Sequence, residues 1–142
     1  MKRVARLRPV LDLLVQAEQQ ARQQLAACEA QRVARLQQLA DLRRYADEYR
    51  QRTQTGTVAV VALRDHQHFV ARLEAMALVQ ERAVNEAGEA CAQAAQELQR
   101  RQRRAEGLKR LLARYQLTAQ AAADRNEQNA LDDWSSSRRK VI

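Results

Sequence analysis

Thr53-Gln54-Thr55-Gly56-Thr57 is the stretch that decides the fold, because it is the one segment that reads as a chain reversal. The single proline, Pro9, precedes Val10, so from Val10 to the Ser-Arg-rich end nothing else breaks a helix decisively. Two helical stretches are expected on either side of it, about 10–52 and about 58–133, joined by a turn at about 53–57. Residues 134–142 read as a disordered tail, because Ser135-Ser-Ser-Arg-Arg-Lys140 has no periodicity. The expected fold is all-α: one domain spanning 1–142, a long two-helix antiparallel coiled-coil hairpin with an overhanging C-terminal helix.

Composition supports that reading. The 142 residues are 46% hydrophobic, but with only one Phe, one Trp and three Tyr. Ala, Leu, Gln, Glu and Arg dominate, all strong helix formers, and this profile belongs to long helices and coiled coils. The run Val58-Ala-Val-Val-Ala-Leu63 has strand propensity but no second strand to pair with. The apolar run Val10-Leu-Asp-Leu-Leu-Val15 is too short for a signal peptide and is interrupted by Asp12. No stretch approaches the roughly 20 apolar residues of a membrane span, so a cytosolic location is expected.

Apolar spacing predicts the seam. Leu7, Leu11, Leu14, Glu18, Ala21, Leu25 and Cys28 follow a 4-3 pattern on the first arm, which then slips and resumes at Leu36, Leu39, Leu42, Ala46 and Tyr49. On the second arm Phe69, Leu73, Met76, Gln80 and Ala83 lead through Ala87 and Cys91. That pair adds a four-residue step, a stutter, before the stripe continues through Ala94, Leu98, Arg101, Ala105, Leu108, Leu112, Tyr115, Ala119 and Ala122. With the second arm the longer, about thirty residues beyond roughly Arg104 are expected to overhang, at 1.5 Å per residue. Gly88 and Gly107, inside the second arm, read as tolerated surface glycines, with bending points as the alternative. Cys28 and Cys91 read as reduced thiols at similar heights on the two arms, a disulfide being an option only under oxidation.

The net charge of +8 is unevenly divided. Residues 98–114 hold seven basic side chains and one acidic, whereas 56–97 hold three and six. A reversal at Gly56 gathers Lys2, Arg3, Arg6 and Arg8 with Arg100, Arg101, Arg103, Arg104, Lys109, Arg110 and Arg114. A one-sided field of this kind favours a partner with an acidic surface. Nucleic acid suits the charge but not the residues: no aromatics interleave with the basic run and no reading module is present. Catalysis is not expected either. His66 and His68 point to different helix faces with no carboxylate or Cys at ligand spacing, and there is no phosphate loop or nucleophile elbow. No metal or cofactor is expected.

Leu42, Tyr45 and Tyr49 share one face of the first arm with Gln38, and Phe69, Leu73, Met76 and Gln80 share one face of the second. These eight residues read either as the best part of the seam or as an exposed strip for a partner.

Gln38-Leu-Ala-Asp-Leu-Arg-Arg-Tyr-Ala-Asp-Glu-Tyr-Arg50, then Thr55-Gly-Thr57, then His68-Phe-Val-Ala-Arg-Leu-Glu74 resembles the flagellar export protein family FliJ. More distantly it is similar to the YscO-like stalk proteins of injection-type secretion systems. Leu108-Lys-Arg-Leu-Leu-Ala-Arg-Tyr115 and Ala121-Ala-Ala-Asp-Arg-Asn-Glu127 extend the resemblance over nearly the whole chain. It implies a non-enzymatic stalk between a hexameric FliI-like export ATPase and the cytoplasmic domain of a FlhA-like export gate, with export chaperones as further partners. It also implies a cytoplasmic location, peripheral to the inner membrane at the flagellar base. Carried onto this sequence, the gate-binding strip is Gln38, Leu42, Tyr45, Tyr49, Phe69, Leu73, Met76 and Gln80. The ATPase would be met by the basic set, Arg3, Arg6, Arg8, Arg100, Arg101, Arg103, Arg104, Lys109, Arg110 and Arg114. A generic coiled-coil scaffold or chaperone escort, and a basic nucleic-acid-binding helical protein, are the alternatives.

Overall fold

A computed structural model of the chain describes residues 2–54 and 60–140, excluding the side chains of 53, 54, 60, 139 and 140. It is all-α: helix α1 (Lys2–Gln54) packs antiparallel against helix α2 (Val60–Lys140). The expected reversal lies largely outside the described residues; Thr53 and Gln54 are the last residues of α1.

Both helices outrun their expected limits. α1 begins at Lys2, with Pro9 inside it. Pro9 forfeits one backbone hydrogen bond, and Val4 (buried) with Leu7 (half-buried) supplies seam packing on its N-terminal side. At the other end α2 continues through the expected tail. After Gly107 nothing in the sequence stops it, and the Arg138 guanidinium lies 5.0 Å from the Trp134 ring centroid, one turn back. At 1.5 Å per residue, the 53 residues of α1 and 81 of α2 make helices of about 80 Å and about 120 Å.

Packing falls into two units, Met1–Gln20 with Gln99–Ile142, and Ala21–Leu98. In the first, Val4, Leu7, Leu11, Leu14 and Glu18 of α1 are buried or half-buried, as are Arg101, Ala105, Leu108, Leu112, Tyr115 and Ala119 of α2. Arg101 donates a hydrogen bond of 2.8 Å to the carbonyl of Ala17, and Arg3 sits 5.7 Å from the Tyr115 ring centroid. The unpaired stretch of α2 therefore starts later than expected. Residues 120–138 are exposed throughout, Ala122 included, because the earlier start of α1 supplies a partner as far as Tyr115.

In the second unit the seam needs no slip and no stutter. On α1, Arg35 rather than Leu36 takes the half-buried position between Cys28 and Leu39, and Leu36 is 42% exposed. On α2, Val70, Leu73, Ala77, Gln80, Val84, Ala87, Cys91, Ala94 and Leu98 are all buried or half-buried, an unbroken 3-4 spacing. Met76 lies outside it, and Ala83 flanks Val84. Reading apolarity alone misplaced these positions, because an arginine can lay its methylene stem along a seam while its charged head stays in water. Gly88, expected at the surface, is half-buried: a Cβ there would lie 3.9 Å from Nε of Arg32. Gly107 is a surface glycine, with nothing within 4 Å of such a Cβ.

Candidate functional site: an aromatic strip and a basic cluster

Six of the eight strip residues, Gln38, Leu42, Tyr45, Tyr49, Phe69 and Gln80, touch one another or line one groove in the second unit. Their spacing along α1 (Gln38, Leu42, Tyr45, Tyr49) repeats the helical period, so all four face the side where Phe69, Leu73, Met76 and Gln80 of α2 lie. Tyr45 meets Tyr49 at 6.2 Å and Phe69 edge-on at 6.3 Å, while Tyr49 meets Phe69 at 4.7 Å between ring centroids. His66 stacks on Tyr49 at 4.4 Å with only 12° between planes. Nε2 of Gln80 donates to Oε1 of Gln38 at 2.9 Å and to the Arg35 carbonyl at 3.2 Å.

The strip is both seam and surface, divided residue by residue. Leu73 is buried at 6% exposure, and Leu42, Tyr49, Phe69 and Gln80 are half-buried. Tyr45 at 48% and Met76 at 54% exposure, together with Gln38, face solvent. Gln38, Leu42, Tyr45 and Gln80 line an open groove with Asp41, Arg44 and Glu48. The last three were not singled out from the sequence. Their positions three residues from Gln38, Tyr45 or Asp41 were the available signal, but charged residues on a helix face are ordinarily just solvated. Asp41 accepts from Gln37 at 3.0 Å and pairs with Arg44 at 3.3 Å, so the groove rim is held within α1.

Another set of interhelical contacts lies beside the exposed Leu78. Arg43 pairs with Glu81 at 3.6 Å and Arg50 with Glu74, and these four residues line a depression with Ala46, Asp47, Ala77 and Leu78. Exposed ion pairs contribute little stability, but they occupy the polar groups that a partner would otherwise engage. Across the Tyr45 groove the two helices are joined by the Gln80–Gln38 hydrogen bond.

The basic set lies entirely in the first unit. Arg3, Arg6, Arg8, Arg100, Arg103, Arg104, Lys109, Arg110 and Arg114 are exposed; Arg101 is half-buried and bound to the Ala17 carbonyl, which makes it part of the packing. Arg110 pairs with Glu106 at 3.6 Å. Of the two histidines, His66 belongs to the aromatic stack, and His68 is exposed beside Phe69 and Arg72. Among the described residues no group of three or more His, Cys, Asp and Glu is placed to hold a metal ion, and no helix is long and apolar enough to cross a membrane.

Two long antiparallel helices, an aromatic strip shared between seam and surface, and an exposed basic cluster define a helical-hairpin protein. The chain matches the family described as Flagellar FliJ protein over residues 1–140 and belongs to it. It is thus a flagellar export-related protein of a family of non-enzymatic export components. Neither the curated proteins nor the solved structures compared with the chain contain a match.

Proposed function

We propose that this chain is a non-enzymatic stalk component that links the hexameric export ATPase to the export gate, promoting ATPase ring assembly and protein export. The ATPase is engaged through the exposed basic residues of the first unit, and the cytoplasmic domain of the gate through the groove around Tyr45 in the second. Membrane contact is made only through these partners, at the cytoplasmic face of the inner membrane at the flagellar base, and the chain needs neither cofactor nor nucleic acid.

The observation that carries this reading is the division of the two residue sets. The excess of positive charge falls in one unit, whereas basic and acidic residues balance in the unit that holds the open aromatic groove, so each unit has surface chemistry suited to a different partner. An exposed tyrosine in a groove rimmed by polar side chains is the kind of residue that dominates binding.

The test uses Tyr45→Ala combined with Gln38→Ala, two exposed positions, titrated against the purified cytoplasmic gate domain by calorimetry. Affinity should fall at least about tenfold, a loss of about 1.4 kcal/mol, with helicity by circular dichroism unchanged. Wild-type affinity in the double variant would remove the groove from the interface.

A further inference from the structure

We propose that Cys28 and Cys91 form a reversible disulfide that ties α1 to α2 within the second unit when small-molecule disulfides oxidise the surroundings. The thiols lie at facing seam positions of the two helices, Cys28 half-buried and Cys91 buried, near enough for Cys28 to act on the ionisation of Cys91. A separate contact shows the same facing: Arg32, one turn beyond Cys28, lies 3.9 Å from the Cβ position of Gly88, about one turn before Cys91. Disulfides need Cα atoms about 4.4–6.8 Å apart. Ala87, Gly88 and Ala94, the residues around Cys91 on its seam, have no bulk to hold the helices further apart. Neither thiol has a part in the strip or the basic cluster.

The exchange runs in two steps. The Cys28 thiolate, the more exposed, attacks one sulfur of oxidised glutathione. The reagent's S–S bond breaks, one half leaves as a thiolate that takes up a proton, and the other half stays on Cys28 as a mixed disulfide. Cys91 then loses its proton and attacks Sγ of Cys28, expelling the second glutathione as a thiol. Two protein thiols are oxidised and one small disulfide is reduced to two thiols. Burial first, then the neighbouring Cys28 and Glu29, push the Cys91 thiol's pKa up against the opposing effect of Arg32, so the closing step speeds up as pH rises.

The bond would enclose residues 28–91 and constrain the unfolded chain more than the folded one. The full-length chain, incubated with oxidised glutathione and then alkylated, should lose the mass of two hydrogen atoms and carry neither adduct nor alkyl group. Its Tm should rise by more than about 5 °C and return with dithiothreitol. Cys91→Ser should instead retain one glutathione on Cys28. Full alkylation of both thiols after oxidation would overturn the proposal, as would a lasting glutathione adduct on the wild type or a disulfide found only between two copies.

Discussion

Cys91 holds its proton more tightly in the folded chain than a thiol does in water, first because it is buried and next because Cys28 lies beside it. The unfolded chain, with an ordinary thiol pKa of about 8.5, therefore ionises first as pH rises. The resulting stability is fully present below the unfolded value and is lost as pH climbs through the raised native one. Urea midpoints of the reduced chain, measured from about pH 7 to about pH 10, should decline faster for wild type than for Cys91→Ala. Parallel declines would mean that the thiol titrates alike in both states. Elsewhere at this scale, Leu73 and Tyr45 show how neighbours in one strip differ. Leu73→Ala removes a buried side chain and should cost about 2–3 kcal/mol in urea denaturation, whereas Tyr45→Ala should cost far less because the ring is half in solvent.

Along each helix, the packing of the second unit assigns positions that apolarity leaves ambiguous. Arg35 takes the position expected of Leu36, its carbonyl accepting from Gln80, and Ala77 takes the one expected of Met76. Leu36→Gln should therefore change stability by less than about 0.5 kcal/mol, while Leu39→Ala should cost about 2–3 kcal/mol. Equal losses in chemical denaturation would restore Leu36 to the seam. Gly88→Ala and Gly107→Ala should each stabilise by about 0.5–1 kcal/mol, because alanine has the better helix propensity. The new methyl at 88 meets only the Arg32 side chain at 3.9 Å, and the one at 107 meets nothing. A destabilised Gly88→Ala, seen as a lower urea midpoint, would show that Arg32 needs that space.

At the level of the whole molecule, the charge of +8 is concentrated where the first unit presents it. Arg103→Glu, Arg104→Glu and Lys109→Glu together reverse three exposed cations and leave the Arg101–Ala17 hydrogen bond in place. Association with the purified export ATPase should weaken at least about tenfold at low ionic strength. The gap to wild type should narrow as salt is added, because exposed charges are screened over about 8–10 Å near physiological ionic strength. Unchanged association, read by surface plasmon resonance across a salt series, would exclude the cluster. Gate binding by the same variant should be unaffected, since none of the three residues belongs to the strip's unit.

That the chain is helical and folded back on itself is legible from its residues alone. Ala, Leu, Gln, Glu and Arg leave the backbone no better conformation, no proline follows Pro9, and the stripe from Leu7 to Cys28 is apolar enough to read directly. The sequence also groups Gln38, Leu42, Tyr45 and Tyr49 on one face, since helical period alone does that. Packing between the helices sets which ambiguous side chains enter the seam, how far α1 and α2 extend past Pro9 and Asp133, and which strip residues are left in solvent. Those outcomes depend on the partner across the seam. A long cationic side chain can be accommodated opposite a glycine, as Arg32 is near Gly88, and an aromatic ring is buried or exposed according to what the other helix places against it.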